Sequence, residues 1–447
     1  MAASTKPEIA FIGLGAMGFG MATHLVKQGY AVTGFDVWAP TLERFRAAGG
    51  SAASTPAEAV RGREHVVCMV ATAAQAQEVL LDGENPVLDA LSKDASLLLC
   101  STVPCAYVQG LAAQLAERGR GDVLLVDCPV SGGAGRAADG TLSIMAGGSD
   151  AAIEKARFLL RELSDASKLY IVSGGIGAGS NMKMVHQVLA AVGILATSEG
   201  MGFAQHLGLD LAYALEGIRD SDASAWMFGH RGPRMLTEFK PVASAVTIIL
   251  KDAGIITSEA ARVGFPTPMT GVAEQVYLSG VRRGYGADDD SSLIRLYTEG
   301  IEAAGPSASA EDGEGKAKKL ALVRALLKGV HLCATAEALS FAKRCELDLD
   351  QVYELCINAA GGSKVFETVG PEVMKMFRGE QTVAEAKGES LRDVARELQE
   401  AVAEAQRLKM PLYLGTQATN LIRLALQHTP EQVQSLPRAT VAKVWVV

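Results

Sequence analysis

The stretch from Gly177 to Leu189, GAGSNMKMVHQVL, sets a lysine just inside a long apolar run, with His186 and Gln187 close behind it. At helical spacing Lys183 and Gln187 share one face, four residues apart, and His186 lies about a turn from the lysine. An alcohol that gives up hydride must also lose its hydroxyl proton, so a base is needed within hydrogen-bond reach. An amine can serve where burial and a neighbouring positive ring disfavour the ammonium, and in reverse the ammonium protonates the developing alkoxide. Gln187 would then fix the lysine or the substrate, while His186 is a rival base or a packing residue. Taken alone, Lys183 reads equally well as a solvated lysine in a first helical turn.

A second constellation lies near the start of the chain. AFIGLGAMGFGMATHLV places Gly13, Gly15 and Gly18 as GxGxxG, with Met17 inside the turn, between a strand-like run and a helical pattern. The first glycine permits a tight turn, the second lets a pyrophosphate approach the backbone, and the third lets helix and strand pack closely. The helix N-terminus adds N–H donors and a favourable dipole for phosphate. Asp36 closes the next apolar run, AVTGFD. A carboxylate there accepts both ribose hydroxyls of NAD and repels a 2′-phosphate. No arginine follows it directly, so NAD is expected over NADP; the alternative is a turn residue closing the strand. Further on, VDCPVSGGAG offers Ser131, Gly132 and Gly133, a hydroxyl and exposed N–H groups suited to a carboxylate.

These residues need a scaffold, and the chain supplies a recognisable one. Up to about Leu169, aliphatic runs (EIAFIG, AVTGFD, HVVCMV, SLLLC, DVLLVD, LSIMAGG) alternate with helical patterns, which implies a parallel, doubly wound Rossmann-type sheet. From Asn181 to about Tyr297 the apolar spacing is helical, starting with a helix expected over roughly Lys183 to Leu207. Next comes a Gly/Ser/Pro/Ala-rich stretch of linker composition and then another all-helical section. The helical sections repeat each other: EGMGFAQHLGLDLAYALEGI from Glu199 aligns with EALSFAKRCELDLDQVYELC from Glu337, and EAARVGFPTP from Glu259 with EAQRLKMPLY from Glu404. The expected organisation is a dinucleotide-binding domain at 1–178, a helical catalytic and dimerisation domain at 179–301, a linker at 302–316 and a duplicated helical domain at 317–447. In this register Lys183 meets Ala321 and Gln187 meets Ala325, so the second copy lacks the base. It is expected to cover apolar surface of the first, as a homo-oligomer partner otherwise would.

Bulk properties exclude other classes. The 447 residues are 49% hydrophobic and 21% charged, with net charge −8, which disfavours a nonspecific grip on nucleic-acid phosphates. Seven scattered cysteines show no metal-ligand spacing, so no metal site is expected and a reducing compartment is the simplest reading. The apolar stretch VLAAVGILA is too short to span a bilayer, and the N-terminus enters a strand almost at once; a cytoplasmic protein without membrane contact is expected.

The set GLGAMG, DCPVSGG, GAGSNMKMVHQ and KDAGIITSEA, in order over about Pro7 to Tyr297, resembles the β-hydroxyacid dehydrogenases, the 3-hydroxyisobutyrate dehydrogenase family. The resemblance implies that Lys183 is the catalytic acid/base, that Ser131, Gly132 and Gly133 bind a substrate carboxylate, and that Thr102 and Lys251 touch the cofactor, Lys251 opening a helix. Many members carry asparagine where this chain has Gln187. MKMVHQ, SAWMFGHR and GYGADDDSSLIRLY are most similar to the L-threonate dehydrogenase branch, though Trp226 and Phe228 are read as helix core. Three alternatives stay open: an enzyme like 6-phosphogluconate dehydrogenase, an imine reductase on the same architecture, and a dinucleotide-binding scaffold without catalysis.

Overall fold

The computed structural model describes residues 6–300, 313–380, 388–427 and 435–445. The chain divides into two compact bodies: Met1–Lys183 with Glu346–Asp348, and Met184–Cys345 with Leu349–Val447. Residues 302–312 of the expected linker lie outside the described residues, whereas 313–316 open the helix Gly313–Arg344.

In the first body the aliphatic runs form strands β1 (Ile9–Ile12), β2 (Val32–Phe35), β4 (His65–Cys68), β5 (Ser96–Leu99) and β6 (Leu124–Asp127), with β3 (Ser51–Ala52) at the edge. The side chains of β1 alternate between two cores: Ile9 and Phe11 enter one, Ala10 and Ile12 the other, so helices cover both faces. With β7 (Val130–Ser131), β8 (Leu142–Gly148) and β9 (Ser164–Ile171), the sheet order is β3-β2-β1-β4-β5-β6-β8-β7, with β9 beside β8. β1 is parallel to β2 on one side and to β4 on the other, which makes its carboxyl end the point where the winding reverses.

Beyond β6 the sheet departs from the parallel arrangement of its main strands. β7 and β8 pair antiparallel, β8 is antiparallel to β6, and β9 is parallel to β8. The connection between β7 and β8 holds only the short helix Gly133–Asp139 and a left-handed Gly140, so the chain turns back rather than crossing over.

The second body is helical. The helix Ala178–His206, which belongs to this body from Met184 onward, is 29 residues long and starts five residues before the expected Lys183. By length and composition it could cross a membrane, but the window concerned is 100% buried within the protein, as in a core helix. The duplication is visible helix by helix. Leu211–Arg219 and Leu349–Ile357 are counterparts at a shift of 138 residues, as are the starts of Trp226–Met235 and Lys364–Phe377. Val246–Arg262 and Leu391–Arg407 match at a shift of 145, as do Pro268–Arg282 and Tyr413–Gln427.

The copies exchange equivalent bonds. Trp226 N–H donates to the Gly362 carbonyl and Lys364 N–H to the Ser224 carbonyl, both at 2.8 Å, around the Ala225–Ser363 bridge. Glu199 accepts the N–H groups of Leu414 (3.1 Å) and Gly415 (2.8 Å), opening a helix of the second copy. Reciprocally, Glu337 accepts those of Met269 (2.7 Å) and Thr270 (2.9 Å) in the first. Each carboxylate meets a helix N-terminus, where the dipole and unpaired N–H groups favour negative charge. Interchanging the copies reproduces the contacts, the property of an isologous interface.

Candidate dinucleotide and hydroxy-acid site

The loop after β1 shows why glycine recurs there. Gly13 is at φ +92°, and a Cβ on it would strike the Met69 carbonyl; a Cβ on Gly18 would strike the Gly13 carbonyl. Gly15 is different, since a side chain there would meet nothing within 4 Å. Gly13 and Gly18 therefore close the turn, and Gly15 leaves an open approach beside exposed Ala16 and half-buried Met17. Met17 precedes the helix Gly18–Lys27, whose N-terminus has no side-chain cap. That arrangement fits a dinucleotide pyrophosphate.

Asp36 follows β2 directly. Its carboxylate accepts N–H from Leu14 at 2.7 Å through one oxygen and from Trp38 at 2.9 Å through the other. The group is held at the glycine turn with further acceptor capacity on each oxygen. Thr102 is half-buried just past β5, next to Ser101, whose buried hydroxyl accepts the Val70 N–H at 2.9 Å and ties together the ends of β4 and β5. Gly132 (φ +141°) and Gly133 (φ +76°) are exposed, and half-buried Ser131 ends β7 beside them. Only glycine adopts two such conformations in succession without strain, and an exposed turn of that kind suits an anion.

Lys183 is buried, with 5% of its surface exposed. It sits in the second turn of Ala178–His206, and the start of that helix is fixed by a residue the sequence reading missed. Asp127, fully buried at the end of β6, accepts both the N–H and the hydroxyl of Ser180 at 2.7 Å. Burial pushes the Asp127 carboxyl up to about 6, against the opposing pull of these bonds. Gly179 is required at the same place because a Cβ would strike the carbonyls of Asp127 and Met145.

In the second body Gln187 donates to Asp252 at 2.5 Å, and its carbonyl pairs with His186 Nδ1 at 3.0 Å. Lys251 pairs with the other oxygen of Asp252 at 3.0 Å. Asp252 thus joins two expected site residues, a role no local pattern announced. The expectation that Lys251 opens a helix is corrected: Val246–Arg262 starts five residues earlier. Trp226 is corrected too. It is 44% exposed at the start of its helix and stacks on His230 at 4.7 Å, while Phe228 is fully buried. Among the described residues no group of three or more His, Cys, Asp or Glu could hold a metal. Six of the seven cysteines are buried.

The comparisons with known proteins agree with this scaffold. Residues 8–175 match the family described as the NAD binding domain of 6-phosphogluconate dehydrogenase. Residues 177–297 and again 313–436 match the family described as NAD-binding of NADP-dependent 3-hydroxyisobutyrate dehydrogenase. An L-threonate dehydrogenase of Cupriavidus necator is 36% identical over 298 residues, 67% of this chain and 98% of that protein. A crystal structure of 3-hydroxyisobutyrate dehydrogenase from Salmonella typhimurium superposes with a TM-score of 0.59 at 32% identity, covering 65% of this chain and all of the other. The 6-phosphogluconate dehydrogenase of Plasmodium falciparum covers 95% of this chain and 94% of its own, with a TM-score of 0.67, but at 14% identity it shows the fold alone. A scaffold with a dinucleotide turn and paired helical repeats, matched along nearly its whole length, places the chain in the β-hydroxyacid dehydrogenase family, nicotinamide-dinucleotide-dependent oxidoreductases acting on CH–OH donors.

Proposed function

We propose that the chain oxidises the hydroxyl of a small hydroxy acid of the L-threonate or 3-hydroxyisobutyrate kind, with NAD as acceptor and Lys183 as general acid/base. The observation that carries this reading is a buried lysine on a helix whose first turn is locked to the end of β6 through Asp127 and Ser180. A lysine kept from bulk water at a fixed position serves proton transfer better than solvation.

The dinucleotide, when bound, supplies the hydride acceptor. Asp36 takes the ribose hydroxyls and disfavours a 2′-phosphate, which makes NAD the preferred form. Ser131 and the N–H groups of Gly132 and Gly133 hold the substrate carboxylate. Lys183 then receives the hydroxyl proton during oxidation and returns it during reduction. Gln187, oriented by Asp252 and His186, retains a second amide hydrogen and carbonyl capacity to position the hydroxyl-bearing carbon. Lys251, paired with Asp252, supplies a cation toward the cofactor.

The likeness to L-threonate dehydrogenase, which spans almost all of that relative, supports a four-carbon sugar acid as substrate. The reading includes a cytoplasmic protein with no nucleic-acid or membrane partner, in which the second helical copy takes the place of a second subunit. NAD reduction followed across C3 to C6 hydroxy acids tests it. Turnover of L-threonate or a close hydroxy acid is expected, with NADP markedly poorer. Turnover confined to a phosphorylated sugar acid would instead favour the 6-phosphogluconate type, and NAD binding without turnover of any acid would favour a scaffold.

A further inference from the structure

The two repeat registers converge on a feature outside the catalytic machinery. A hollow of about 520 Å³ lies between the helices Gly313–Arg344 and Leu391–Arg407, lined by Ala321, Ala325, Arg396 and Glu397 among others. At a shift of 138 residues Ala321 and Ala325 correspond to Lys183 and Gln187. At a shift of 145 Arg396 and Glu397 correspond to Lys251 and Asp252. The shifts come from different helix pairs, yet both lead to one cavity. The second copy therefore keeps, at the positions matching Lys251 and Asp252, a cation followed by an acid, places them on the wall of a hollow, and has methyl groups where the first copy has the long side chains of Lys183 and Gln187.

Its chemistry is specific. The apolar part of the lining comes from Leu207, Leu322 and the two alanines. Lys318, Lys319 and Arg396 bring three cations to the wall, and Glu397, Glu400 and Glu404 bring three carboxylates. Arg396 meets Asp393, Glu397 and Glu400 at 3.5, 3.8 and 3.6 Å, and its side chain is 61% exposed. Exposed pairs of this kind contribute little to stability and open at little cost. A ligand with one carboxylate and several hydroxyls satisfies both sets: its carboxylate meets the cations, and its hydroxyls donate to the glutamates. The volume falls in the usual range for small-molecule sites.

We infer that this hollow is a second, non-catalytic binding site for a small polyhydroxy carboxylate, the same chemical class as the substrate. The ligand class rests on the hydroxy-acid reading of the catalytic site. The test is calorimetric titration of the full chain, saturated with NADH so that no oxidation occurs, with whichever acid of the panel has the highest kcat/KM, L-threonate on the present reading. Two equivalents are expected per wild-type chain. One is expected for Ala321→Trp, which fills the hollow from an exposed position, and one for Arg396→Ala, with initial rates at low acid concentration within twofold of wild type in both. A single equivalent in wild type and variants alike, or two that persist in both variants, overturns the inference while turnover leaves the catalytic reading intact. Absence of binding together with absence of turnover on every hydroxy acid removes both.

Discussion

Asp36 is the side chain on which the proposed preference for NAD depends. Each of its oxygens already accepts a backbone N–H, from Leu14 and from Trp38, so the carboxylate is held in a fixed orientation beside the glycine turn. A hydrogen bond to a charged group is worth roughly 1.5–3 kcal/mol, so Asp36→Ala is expected to weaken NADH binding about tenfold or more. NADPH, freed from repulsion of its 2′-phosphate, should bind no worse than before. Fluorescence titration of both dinucleotides reads this directly, and an unchanged preference for NADH would place the discriminating group elsewhere. Lys183, Gln187 and Asp252 show how residue roles nest. The lysine is a candidate for proton transfer, the glutamine is held by the aspartate, and the aspartate is held in turn by Lys251.

At the scale of elements, the reciprocal carboxylate clamps make stability depend on pH. Burial raises the Glu199 and Glu337 carboxyls from 4.5 to about 7 in the folded chain. Between those values the folded state holds more protons than the unfolded one, so their contribution to stability falls as pH rises from about 4.5 to about 7. Each shift corresponds to at most about 3 kcal/mol. Denaturant unfolding of a Glu199→Gln/Glu337→Gln variant is expected to gain on wild type by a few kcal/mol between pH 5 and pH 8, whereas parallel profiles would show that the two carboxyls are not shifted. The repeat register that aligns Glu199 with Glu337 was legible beforehand, but the helix N-termini that the two glutamates reach were not. The glycine turn, with its local spacing, and the six main strands, with their aliphatic runs, were legible too. Other features left no local trace. The bond from Ser180 to Asp127 spans 53 residues and that from Gln187 to Asp252 spans 65, so chain distance hides both. The start of the long helix was obscured because Gly177 and Gly179 read as loop, whereas Gly179 is small to let two carbonyls pass. The antiparallel edge at β7 and β8 was missed because β7 is only two residues long.

For the molecule as a whole, the two helical copies pair with each other within one chain. Each helical copy gives a glutamate to a helix N-terminus of the other and receives one in return. Sedimentation at micromolar concentration is therefore expected to give one chain of 46.8 kDa, and a tight dimer would show that another face drives association. A chain ending at residue 300 would leave Glu199 without its N–H partners on Leu414 and Gly415, and is expected to dimerise or precipitate. Proton transfer on the proposed reading, however, depends on one nitrogen, that of Lys183. Its most direct measurement is single-turnover hydride transfer by wild type and Lys183→Ala with the best acid of the panel, with and without a small primary amine in solution. The expected result is a loss on the order of 100-fold or more in the variant, unchanged NAD affinity and partial recovery with the amine. Near-normal transfer in the variant, indifferent to added amine, would contradict the account and turn attention to His186.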